Sequence, residues 1–193
     1  MAIGVIVCCA LSGGSAAATL TRPERQRLIA HLEMTMSWLS DEVSRLSSPQ
    51  VQFRPAAGAW NILEVVEHLV VAEPIYWQDF QKAMKAPPRT GPHSGTDANV
   101  LWYGIDRTER QKAVPGEGVN GQLRDVAAGL NEFRKVRARM LEYVRTTEED
   151  LRSHYVQREG SDAYQWLLLI SAHAQRHILQ IREIKADPKF PKG

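Results

Sequence analysis

The chain has 193 residues, 44% of them hydrophobic and 24% charged, proportions ordinary for a soluble globular protein, with enough length for one domain with a real core and too little for two comfortable ones. Its 24 basic and 22 acidic residues leave a net charge of +2, so charge supplies no argument for nucleic acid or an anionic membrane as partner. Both cysteines, Cys8 and Cys9, fall in the first ten residues, which excludes a disulfide framework in the rest of the chain.

Residues 1–18, MAIGVIVCCALSGGSAAA, read as a short apolar run followed by small residues. This is the pattern of a secretory signal peptide, although no Lys or Arg precedes the apolar run. The run is too short to span a bilayer, which takes about 20 apolar residues. The expected organisation is therefore a signal at 1–18 and a single domain over 19–193. The protein is exported or periplasmic if the signal operates, and cytoplasmic otherwise.

A first helix is expected over residues 21–47. Thr21 and Glu24 form a capping box with Pro23 in the first turn, and Leu28, Leu32, Thr35, Leu39, Val43 and Leu46 trace its apolar stripe. His31 lies beside the stripe as a surface or boundary residue. Residues 51–60 form a connection in which Phe53 and Trp60 fold back as apolar lids on the bundle end. Asn61 and Glu64 cap a second helix that ends at Pro87-Pro88. Its inward face carries Val65, Leu69, Ala72, Tyr76 and Phe80, and Pro74 should kink or loosen it.

Residues 89–121 make an unusually long connection, with a short helix over 101–110 and with His93 in its loosest part. A third helix is expected over 123–145 on the stripe Val126, Leu130, Phe133, Val136 or Arg137, Met140 and Val144. The basic residues Arg134, Lys135, Arg137, Arg139 and Arg145 form its solvated face. A loop over 151–160, containing His154, leads to a final helix over 162–185. There Trp166, Leu167, Ile170, Ala174, Ile178, Ile181 and Ile184 recur at helical spacing. With no strand pattern, the fold class is all-α, a four-helix bundle with a long connection between the second and third helices.

His173 and His177 interrupt the final stripe one turn apart, so both rings leave one helix face. His68 lies at the edge of the apolar face of the second helix. Facing helices could bring three imidazoles together around a metal, leaving one coordination position for water or substrate. Imidazole suits zinc, nickel, iron and copper, so ligand type does not settle the metal; zinc or nickel is the expected divalent ion. The competing reading is a set of core histidines satisfied by backbone or by Glu64, Glu67 or Glu73. Glu64 and Glu67 are candidates for orienting a ligand ring. Arg176 projects about 100° away from either histidine and reads as a surface or interface residue.

Residues 59–69, AWNILEVVEHL, followed by Glu73, resemble the W-S-x-x-E-x-x-x-H-L signature of the DinB-like superfamily. Residues 173–181, HAQRHILQI, resemble its H-x-x-x-H-x-x-Q-I ending. Asn61 stands where the signature has Ser, and both are good caps. The segment from 162 to 188 is similar to exported bacterial members. This resemblance implies a four-helix bundle, often a homodimer, with a divalent metal held by His68, His173 and His177. It also implies a metal-dependent enzyme that transfers a thiol such as bacillithiol or mycothiol, or that hydrolyses a small substrate. An exported location counts against the thiol. The alternative is a non-catalytic metal-binding, ligand-binding or stress-related bundle.

Overall fold

A computed structural model describes residues 19–89, 95–110, 113–157 and 160–192. The expected signal at 1–18, with Cys8 and Cys9, and His93 lie outside the described residues. Among the described residues, six helices and one short strand pair form: α1 (Arg22–Val43), α2 (Ser48–Gln52), α3 (Ile62–Lys85), α4 (Asp97–Ile105), α5 (Val126–Thr146), β1 (Tyr155–Val156), β2 (Ser161–Asp162) and α6 (Ala163–Lys185). The four long helices are the bundle. Both α1 and α3 pack against α5 and α6, so α1 faces α3 across one diagonal. Short α4 lies along α6. Among the described residues no helix is long and apolar enough to cross a membrane.

Local chemistry sets the helix starts. Thr21 with Glu24, and Asn61 with Glu64, form complete capping boxes, while the Asp125 and Asp162 side chains cap α5 and α6. The apolar stripes then bury as their spacing requires. Leu28, Leu32 and Leu39 of α1, Val65 and Leu69 of α3, and Ile170, Ala174, Ile178 and Ile181 of α6 are all fully inaccessible. Fully burying one such Leu or Ile contributes about 1.5–3 kcal/mol.

Several boundaries differ from expectation for identifiable reasons. The first helix ends at Val43, and Ser47, Pro49 and Gln50 start a new short helix with its own capping box. Helix α5 begins at Val126 because the N–H of Leu123 donates to the Glu67 carboxylate and Asp125 then caps the helix. Helix α4 begins earlier than expected because Thr96 caps it. The loop before α6 contains an antiparallel pair, Tyr155 with Asp162 and Val156 with Ser161, too short to leave a period-two signal. Helix α3 continues unbroken past Pro74.

Two basic residues were expected in solvent and are not. Arg137 is fully buried, whereas Arg134, Lys135, Arg139 and Arg145 are exposed. Its guanidinium forms a two-pronged pair with Glu73, with Nε donating to Oε2 at 2.7 Å, and Nη1 donates to Thr35 Oγ1 at 3.2 Å. Arg176 is 5% exposed, because α4 covers the side of α6 that it occupies. Gly104 makes that cover close: a Cβ there would stand 3.0 Å from the Ala172 carbonyl oxygen and 3.1 Å from its Cα.

Candidate metal centre

The i, i+4 spacing on α6 sends the His173 and His177 rings off one face, and α3 brings His68 against them. The Nε2 of His173 lies 3.1 Å from Nε2 of His68 and 3.2 Å from Nε2 of His177. One nitrogen of each ring can be chosen so that all three lie within 4.8 Å of one another. His68 and His173 are buried and His177 is partly buried.

The outer nitrogens decide which tautomer is present. His68 Nδ1 donates to the backbone carbonyl of Glu117 at 2.6 Å, and His177 Nδ1 donates to Gln180 Oε1 at 2.9 Å. Both acceptors are oxygens, so each neutral ring carries its proton on Nδ1 and presents an Nε2 lone pair inward. Burial, with the neighbouring His68 ring adding to it, pushes His177 down to about 3. Burial also holds His68 below the ordinary imidazole value, against the pull of the Glu117 carbonyl. These rings are neutral at pH 7, as ligation requires.

The donor set therefore fits a metal. Imidazoles at about 2.0–2.1 Å in a tetrahedron set their nitrogens about 3.3 Å apart, close to the two separations found here. Two inward lone pairs next to a third ring nitrogen repel unless a proton or a cation lies among them, and one N–H from His173 can serve only one neighbour.

Aromatic rings fix the trio. Trp60 lies 5.1 Å from the His68 ring and stacks at 6.3 Å on His177, and Tyr76 meets His173 edge-on at 5.2 Å. Trp60 was expected as a lid on the bundle end, and here it lids the histidines. Phe53 does close an end, edge-on to Phe190 at 5.5 Å. The two carboxylates expected near the rings are engaged elsewhere. Glu64 sits at the third helical position, where it accepts from the Asn61 N–H and the Arg54 guanidinium. Glu67 accepts from the N–H groups of Gly121, Gln122 and Leu123. It thereby anchors the segment whose Glu117 carbonyl holds His68. His31 is partly buried, with Nδ1 2.7 Å from Ser171 Oγ, and the His154 Nδ1 donates to the Ala83 carbonyl at 3.1 Å. Neither belongs to the trio.

The histidines line a cavity of about 560 Å³ whose walls include Trp60, Tyr76, Tyr103 and Glu117. That is the size range of small-molecule sites. Sequence reasoning missed Glu117, since it lies in the long irregular connection where periodicity is silent. Tyr76 Oη donates to Glu117 Oε2 at 2.8 Å in the cavity wall.

Comparison with known proteins agrees with this architecture. The family model of the DinB superfamily matches residues 31–181. The uncharacterized protein YuaE of Bacillus subtilis (strain 168) is 25% identical over 149 residues, which cover 75% of this chain and 89% of YuaE. Among solved structures, YfiT from Bacillus subtilis superposes with a TM-score of 0.60 at 16% identity, over 88% of this chain and 90% of YfiT. That protein is described as a probable metal-dependent hydrolase with an unusual four-helix bundle topology.

Proposed function

The chain belongs to the DinB superfamily, and from that premise we propose that it is a divalent-metal-dependent hydrolase of small molecules, with His68, His173 and His177 as the metal ligands. The observation that carries this reading is the convergence of three Nε2 atoms at the wall of a small-molecule cavity. The description of YfiT, whose fold this chain shares, supports hydrolysis over other metal chemistry. An all-imidazole set accepts zinc, nickel, iron or copper, and zinc or nickel is the ion proposed.

When bound, a divalent ion there polarises a substrate oxygen and lowers the pKa of a water or a thiol. The chain's own residues do the rest. Glu117 and Gln180 lock the ring orientations of His68 and His177. Trp60 and Tyr76 wall the rings with aromatic surface, which limits water around them. Among the described carboxylates that line the cavity, Glu117, held by Tyr76, is the buried one and the candidate for accepting a proton there.

Residues 19–193 contain no cysteine, so a thiol transferred here would have to come from a separate molecule. Export directed by residues 1–18 and association as a homodimer belong to the same proposal. Recovery of protein beginning near residue 19 from a periplasmic extract, and twice the chain mass in light scattering, are the expected results.

The test of function is a panel of small esters, amides and thiol acceptors, assayed with stoichiometric zinc or nickel and again after chelation. Hydrolysis that disappears with chelator and returns with metal is expected. Chelator-insensitive hydrolysis contradicts the mechanism, and metal-dependent thiol adducts without hydrolysis replace it with thiol transfer.

A further inference from the structure

The charges lining the cavity point to the class of molecule it takes, an inference that rests on the metal reading above. Among the described residues, three guanidiniums, Arg107, Arg110 and Arg176, and three carboxylates, Glu117, Glu183 and Asp187, line the cavity. The side chains balance. Imidazoles that ligate a metal are neutral, so a divalent ion would add two positive charges to these described side chains.

The guanidiniums are not equally neutralised. Arg107 is committed, its Nε and Nη2 donating to the two Glu183 oxygens at 2.9 and 2.8 Å. Glu183 is held below the usual carboxylate range first by that bond, and Arg110 and Arg176 also contribute. Glu183 thus interacts with all three cations, and Asp106 also acts on Arg176 at a distance. Arg176 is buried, and its side-chain bonds go to neutral acceptors: Nη1 donates to the Tyr103 carbonyl at 3.2 Å and Nη2 to the Glu109 carbonyl. Those bonds use two of its five N–H groups. A buried cation without a carboxylate bonded to it is costly unless an anion completes it. Arg110 is exposed, and among the described residues no carboxylate forms an ion pair with it.

We infer that the cavity selects small molecules carrying a carboxylate, docked by Arg176 and Arg110, while the reacting end faces the histidine trio. The Arg176 guanidinium bonds to the carbonyl of Glu109, the residue before Arg110, so the two arginines, one from α6 and one from the segment after α4, belong to one stretch of the cavity wall. A planar guanidinium matches a carboxylate with paired N–H donors.

The experiment is calorimetric titration of zinc-loaded protein with succinate and with uncharged succinamide, repeated on Arg110→Ala and Arg176→Met, with zinc content measured in every sample. Succinate should bind at least tenfold tighter than succinamide. Arg110→Ala should weaken succinate roughly three- to fivefold, the scale of one exposed ion pair, with zinc content unchanged. Arg176→Met should weaken it by about tenfold or more, as expected for losing a charged hydrogen bond. Circular dichroism checks that this variant folds, and if it does not, Arg110→Ala decides. Equal binding of the two ligands, or succinate affinity unaltered in Arg110→Ala, overturns the inference while a full zinc complement keeps the metal reading. Absence of zinc from every sample instead overturns the metal reading.

Discussion

His68 Nδ1 donates to the main-chain carbonyl of Glu117 at 2.6 Å, and this bond ties the α3 ring that faces the other two histidines to the long connection that follows it. The adjacent residue, Glu67, secures the other end of the same segment by accepting three backbone N–H groups from residues 121–123. Neighbouring residues on one helix turn therefore serve one purpose: Glu67 shapes the segment, and the segment orients His68. The His177 ring is set in a simpler way, by Gln180 three residues along its own helix.

Gln180→Ala should lower metal affinity by roughly 10–100-fold, the usual effect of removing a group that orients a ligand histidine, while barely altering the melting temperature. Competition with a chromogenic chelator measures it. Affinity equal to that of the parent protein would show that the Nδ1 bond does not position the ring.

The buried pair Arg137–Glu73 should behave asymmetrically. Glu73→Gln or Arg137→Met leaves a charge buried without its partner and should cost about 3–5 kcal/mol in urea unfolding. Replacing both with apolar residues should recover most of that loss. A double variant no more stable than the single ones would mean that Thr35, which accepts from Arg137, depends on the guanidinium more than the charge balance does.

Metal-free protein should lose stability as pH falls below about 6.5. In the folded chain His177 stays neutral down to about 3, whereas the unfolded ring takes up a proton near 6.5. The unfolded state then binds more protons throughout that window, so stability is complete above it and declines as pH drops through it. Urea midpoints of chelated protein at pH 7.5, 6 and 5 measure the slope, and His177→Gln should flatten it. An unchanged slope in that variant would place the pH dependence elsewhere.

The bundle and the pairing of His173 with His177 were readable from sequence because both depend on helical period, whereas joining His68 to them as a metal site drew on the resemblance to the DinB-like signature. The stripes of α1, α3 and α6 bury as their spacing requires, and an i, i+4 pair can only leave one face. What period cannot report is what covers a face from outside. Arg176 is about 100° from the histidines and looks solvent-directed on α6 alone. It is buried because Gly104 lets α4 lie close against Ala172. Arg137 occupies a stripe position between Phe133 and Met140, and only the presence of Glu73 on the facing helix makes that position tolerable for a cation. Glu117 lies in irregular chain, so its place beside His68 comes from the tertiary fold alone.

The most direct measurement is elemental analysis of protein purified without a nickel column, alongside His173→Ala prepared identically. His173 is the ring whose Nε2 lies near both others, so its loss removes the centre of the site. About one equivalent of a divalent transition metal in the parent protein, and almost none in the variant, is the predicted result. Less than about 0.2 equivalents in the parent, or full retention by His173→Ala, would contradict the three-histidine site.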